Sequence, residues 1–66
     1  MNLENWDFDV QKDLKIGLST YEVIRYQENV FEINSTSNGW VSALISKIQL
    51  SNLLNGKLSI LDINFK

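Results

Sequence analysis

Asn55-Gly56 constrains this chain more than any other pair of residues. Asn-Gly is the strongest short-range signal for a two-residue type I′ hairpin turn, because both central residues must take positive φ. A hairpin over residues 47–66 follows by arithmetic: Leu54 opposes Lys57, Asn52 opposes Ser59, Leu50 opposes Leu61, and Ile48 opposes Ile63. Directly opposed residues share a face. Ile48, Leu50, Leu54, Leu61 and Ile63 therefore make one apolar surface. Lys47, Gln49, Ser51, Asp62 and Asn64 point the other way, with Leu53, Leu58 and Ile60 as exceptions near the turn. A lone hairpin is not stable in water, so the rest of the chain is expected to cover that surface.

Upstream, Trp6, Phe8 and Val10 alternate with Asp7 and Asp9, and Leu14, Ile16 and Leu18 alternate with Lys15 and Gly17. A loop at residues 11–13 would pair Val10 with Leu14, Phe8 with Ile16 and Trp6 with Leu18, and would set Asp9 opposite Lys15. Residues 19–36 read two ways. Ser19-Thr20-Tyr21-Glu22 has the form of a helical capping box, but a helix there puts Gln27 and Glu28 inside its apolar stripe. A turn at Glu28-Asn29 instead pairs Tyr26 with Phe31, Ile24 with Ile33 and Arg25 with Glu32, and these residue types favour strands. After the turn-forming run 35–39, Trp40, Val41, Leu44, Ile45 and Ile48 fall at helical spacing. A short helix near 39–46 is expected. The fold class is thus all-β or β-rich in a single small domain, residues 1–66: three antiparallel hairpins forming a small barrel or sandwich, possibly with that one helix. The alternative is an α+β domain with a helix at 19–33.

Composition enters through stability. A 66-residue chain buries a small core, and small scaffolds add disulfides, a metal or a partner chain. There is no cysteine and no histidine, so association is the staple left, and a homodimer or a complex with a larger protein is expected. Six Lys and Arg against eight Asp and Glu give a net charge of −2, which argues against a general nucleic-acid binder. Residues 1–33 hold seven acidic and three basic groups and residues 34–66 one and three, an asymmetry that suits head-to-tail association or one acidic binding face but is first of all the scattered surface charge of a small domain. No basic-then-apolar leader and no membrane-length apolar run is visible, so a cytoplasmic protein without membrane contact is expected. Asn34-Ser35-Thr36 matches a glycosylation acceptor and reads as a polar turn.

No catalytic set emerges. Without histidine, and without a Ser-x-x-Lys motif, the many serines lack a base. Asp7 and Asp9 have no third ligand at a recognisable spacing, and Gly17, Gly39 and Gly56 are isolated. No enzyme, cofactor or metal site is expected. In a binding module the anchors are aromatic residues and arginine. Tyr21, Val23, Arg25 and Val30 share the strand face opposite Ile24 in the paired register and are the candidate partner-binding surface, with Trp40 as a further anchor. The leading expectation is a non-enzymatic protein-interaction module, of the small inhibitor, immunity or antitoxin, or adaptor kind, acting through that face or a strand edge. The alternatives are a small oligonucleotide-binding barrel, whose phosphate-tracking cations are missing, and a structural subunit of a homo-oligomer.

Overall fold

The computed structural model describes residues 3–35 and 39–66. Four strands, β1 (Gln11–Ile16), β2 (Ser19–Gln27), β3 (Val30–Ser35) and β4 (Val41–Ser46), form one antiparallel sheet in the order β1-β2-β3-β4. A single helix, α1 (Lys47–Leu54), follows, and 3₁₀ turns lie at Leu3–Asn5 and Ile60–Asp62. The sheet is open rather than closed into a barrel, and its four strands form a meander rather than three separate hairpins.

Two tight turns set the register. Ile16 pairs with Ser19 across Gly17-Leu18, and Gly17 takes φ +66°. Positive φ at the first central position is what a type II′ hairpin turn demands of glycine. The sequence expectation of a turn at residues 11–13 is corrected here: that segment opens β1, and Leu18, placed in the core by alternation, is 99% exposed at the turn tip. Asp9 also lies in a turn and takes φ +62°, so the expected Trp6–Val10 strand does not form. The second turn, Glu28-Asn29, falls where the sequence puts it, with Gln27 opposite Val30.

One residue beyond that turn the register slips. A β-bulge between Arg25 and Gln27 brings Arg25 opposite Phe31, Ile24 opposite Glu32 and Val23 opposite Ile33. Strand side chains alternate with period two, so a shift of one residue exchanges the two faces of everything upstream. Phe31 and Ile33 of β3 are fully buried, and through the bulge their face gains Val23 and Arg25 in place of Ile24 and Tyr26. Leu14 and Ile16 of β1 and Ile45 of β4 complete the strand contribution to the core.

That packed face is covered by three pieces of chain. From α1, Leu50 and Leu53 enter the core. From the N-terminal segment come Leu3 and Trp6, whose indole meets Phe31 edge-on at 5.3 Å and donates from Nε1 to the Val10 carbonyl. From the C-terminal segment, Ile60, Ile63 and Phe65 pack against the cluster, with Phe65 stacked on Tyr21 at 6.1 Å. Lys66 then exchanges two backbone hydrogen bonds with Ser42 on the outer edge of β4.

The expected hairpin at 47–66 is replaced by α1 and an irregular return, and the expected helix near 39–46 is strand β4, so the helix begins where it was to end. The cause is local chemistry at both ends. Ser46 accepts from the Gln49 amide while the Gln49 side chain accepts from the Ser46 amide, a complete capping box. At the other end Lys57 N–H donates to Asn52 C=O and Gly56 N–H to Leu53 C=O, the two bonds of a Schellman motif. Gly56, at φ +76°, is the residue after the cap. Asn55-Gly56 does supply a positive φ, but to stop a helix. Ile48 and Leu61, assigned to the buried face of the hairpin, are 72% and 90% exposed. No helix is present over 19–33, which is occupied by β2 and the start of β3.

Candidate interaction surface

The five residues picked out by sequence scatter across the molecule. Val23 is fully buried, and Tyr21 is half-buried against Phe65 on the packed face. The face expected to be free is thus the covered one, because the bulge reverses β2. Val30 is the exception: it lies on the opposite face of β3, half-buried. Trp40 is 64% exposed just before β4, whereas Trp6 is core.

Arg25 has an internal task. It is 3% exposed, and its Nη1 donates to the carbonyls of Trp6 at 2.8 Å, Leu3 at 3.1 Å and Glu4 at 3.5 Å. Nη2 donates to the Glu28 carbonyl at 3.1 Å, with the Glu28 carboxylate 3.4 Å away. The guanidinium also lies over the rings of Phe8 and Phe31 at 5.0 and 5.7 Å. A planar fork of five donors suits this geometry as a lysine would not. Arg25 clamps the N-terminal segment to the second hairpin and is not offered to a partner.

Lys47 makes a parallel clamp outside. Its ammonium bonds the Glu4 carboxylate and lies 3.9 Å from that of Glu28. The Lys47 hydrogen bond, and then its charge, hold the Glu4 carboxyl below its ordinary value, with a smaller pull from Arg25.

The surface left over is the other side of the sheet. The C-terminal segment reaches its β4 edge, where Lys66 pairs with Ser42 and, with Asn64, borders a cavity shared with Glu32 and Leu44. Two cross-strand rows define it: Gln11–Ile24–Glu32–Leu44, and Asp13–Glu22–Asn34–Ser42. Val30 lies next to Glu32 along β3 on this same face, and Leu44 is 61% exposed. The second row is hydrogen-bonded. Gln11 donates to Glu22 Oε1 at 3.1 Å, Asn34 donates to Glu32 Oε1 at 3.2 Å, and the Ser42 hydroxyl donates to Asn34 Oδ1. Glu22 Oε2 is buried without a donor. Asn34 is 3% exposed inside β3, so the polar turn read from Asn34-Ser35-Thr36 is corrected for its first two residues, which belong to a strand. Thr36, with Ser37 and Asn38, lies outside the described residues.

Sequence reasoning missed Ile24, Glu32 and Leu44 as a set. The signal was present in β3, where Glu32 and Asn34 alternate with Phe31 and Ile33. It was lost in β2, where strict alternation runs into the bulge.

Among the described residues, no group of three or more acidic side chains is placed to hold a metal ion, and no helix is long and apolar enough to cross a membrane. Comparison with protein-family models, with curated proteins and with solved structures finds no match to this chain.

Proposed function

We propose that this protein is a small protein-interaction module that binds through the open face of its sheet. The observation that carries the reading is the row Ile24–Glu32–Leu44: two aliphatic side chains on a four-stranded sheet flanking a carboxylate, Ile24 and Glu32 half-buried and Leu44 exposed. A sheet ordinarily buries its apolar positions against a second layer. Here the chain's own second layer is spent on the opposite face, and Leu44 stays 61% exposed. Inhibitors, immunity proteins and adaptors work by such preformed surfaces. Asp13, Glu22 and Glu32 on the same side repel phosphate, which sets this face against a nucleic-acid role.

The test uses a photo-crosslinking amino acid placed at Leu44 in the full chain, with Leu61 as the control position. Leu61 is more accessible still but belongs to the layer that covers the packed face. A discrete protein adduct from position 44 and none from position 61 is the expected result. No adduct at 44, or the same adducts at both, would count against an interaction role for this face.

A further inference from the structure

Resting on that reading, we infer that the occupant of the open face is an amphipathic helix of another protein, carrying an arginine or lysine within its aliphatic stripe. Glu32 is the reason. It stands between Ile24 and Leu44 in one cross-strand row, so no partner can cover both aliphatic side chains without also drying the carboxylate. Its one hydrogen bond here comes from Asn34. Drying a carboxylate with a single neutral donor is strongly unfavourable unless a cation arrives with the partner. Beside it, Glu22 Oε2 is already shielded from water and lacks a donor. Two acceptors on one face therefore call for donors from outside.

The surrounding charges sharpen the choice. Asp13 stands directly opposite Glu22, and the cations of this side, Lys15 and Lys66, come from its margins. Lys15 lies two residues along β1 from Asp13. Lys66 pairs with Ser42 at the β4 edge and lines a cavity with Glu32 and Leu44, but forms no ion pair with that carboxylate among the described residues. A purely apolar strip leaves Glu32 unpaired. A second copy of this face brings carboxylates to the centre, where a cation is required. An anionic membrane surface or a nucleic acid is repelled. A helix fits because a sheet face takes one as its second layer, as α1 does on the other side through Leu50 and Leu53, and arginine's fork can serve a carboxylate with two parallel bonds.

The experiment titrates two synthetic amphipathic helical peptides, one of leucine and arginine and one of leucine and glutamate, into the isotope-labelled full-length protein while amide shifts are followed. The expected result is that the arginine peptide moves Ile24, Glu32 and Leu44, that the glutamate peptide does not, and that Glu32→Gln weakens binding about tenfold. Leu61→Ala, on the far side, should leave the affinity unchanged. Equal binding by the glutamate peptide, or indifference to Glu32→Gln, would overturn the cationic partner and leave the interaction role of the face standing. So would self-association that Leu44→Asp abolishes while the arginine peptide leaves these amides unmoved, because a second copy would then be the occupant. If neither peptide moves the face and Leu44 gives no crosslinked adduct, both the partner class and the interaction role fail.

Discussion

The two faces of this sheet are made by the same four strands, often by adjacent residues, and they do opposite things. On one side Leu14, Ile16, Val23, Phe31, Ile33 and Ile45 are buried beneath a helix and both terminal segments. On the other, Ile24 and Glu32 are half-buried and Leu44 is exposed, with Asn64 and Lys66 at the margin. Neither side is simply the hydrophobic one: the packed face buries an arginine, and the open face displays aliphatics. What separates them is what each polar group can find. Arg25 meets three carbonyls of the covering N-terminal segment and a fourth from the turn at Glu28. Glu32 has Asn34. A buried charge is tolerable when its partners are built in: both Nη nitrogens of Arg25 are served by the chain itself, and only Nε is buried without a partner.

The strongest way to break this comparison is to truncate one aromatic in the core and one aliphatic on the open face. Phe31→Ala should cost about 4 kcal/mol, since it opens a cavity beneath Trp6 and Ile45. In a chain this small that is most of the available stability. Leu44→Ala should change stability by less than about 0.5 kcal/mol, because its side chain is already mostly in water. Urea denaturation of the two variants checks both at once. A large loss at Leu44 would mean that the open face is structural after all.

Arg25→Leu comes next and probes the clamp alone. The aliphatic stem is kept, but the four carbonyls lose their donor, which should cost about 2 kcal/mol. The N-terminal segment held by those bonds should loosen first. In a Trp40→Phe background the remaining indole is Trp6, now 2% exposed. Its fluorescence should shift to the red in Arg25→Leu below the main unfolding transition. An unshifted spectrum with unchanged stability would show that Trp6 packing holds the segment without the guanidinium.

The legible parts of this fold are those where one residue type has one use. The Glu28-Asn29 turn could be placed because strand-favouring residues flank a short polar break, even though the bulge displaces the pairs that alternation draws around it, and Trp6, Phe31 and Ile33 stand out by size and alternation. The illegible parts are residues with two uses. Gly56 supplies a positive φ, which a type I′ turn and a Schellman cap need alike. What separates the two readings is upstream, in Ser46-x-x-Gln49 and in Leu50 and Leu53 three apart, and in Leu53, Leu58 and Ile60, which spoil the strand alternation. Gly17 reads as a strand residue or as the first position of a type II′ turn. The bulge at Tyr26 has no residue signature at all. Because it inverts every upstream side chain of β2, it moved Tyr21, Val23 and Arg25 from a supposed surface to the packed side, and with them most of the candidate site.

The smallest expected effect concerns the outer clamp that helps hold the cover on the packed face. Lys47 is the first residue of α1, where the helix dipole disfavours a cation. Glu4 and Glu28 offset that, tying the N-terminal segment to the helix start. Because the Glu4 carboxyl is held below its ordinary value, the folded state binds its proton less readily than the unfolded chain. Its stabilisation is therefore fully present above the ordinary carboxylate range, and it is lost as pH falls through the lowered folded value. Glu4→Gln removes this dependence. The gap in urea midpoint between the parent protein and Glu4→Gln should be open at neutral pH and should close as pH falls below the ordinary carboxylate range. It should also narrow in about 1 M salt, since the pair is exposed and the screening length falls to about 3 Å. A gap that survives acid and salt would mean that the Glu4 side chain acts by packing or neutral hydrogen bonding and not by its charge, since the backbone carbonyl that accepts from Arg25 is the same in both proteins.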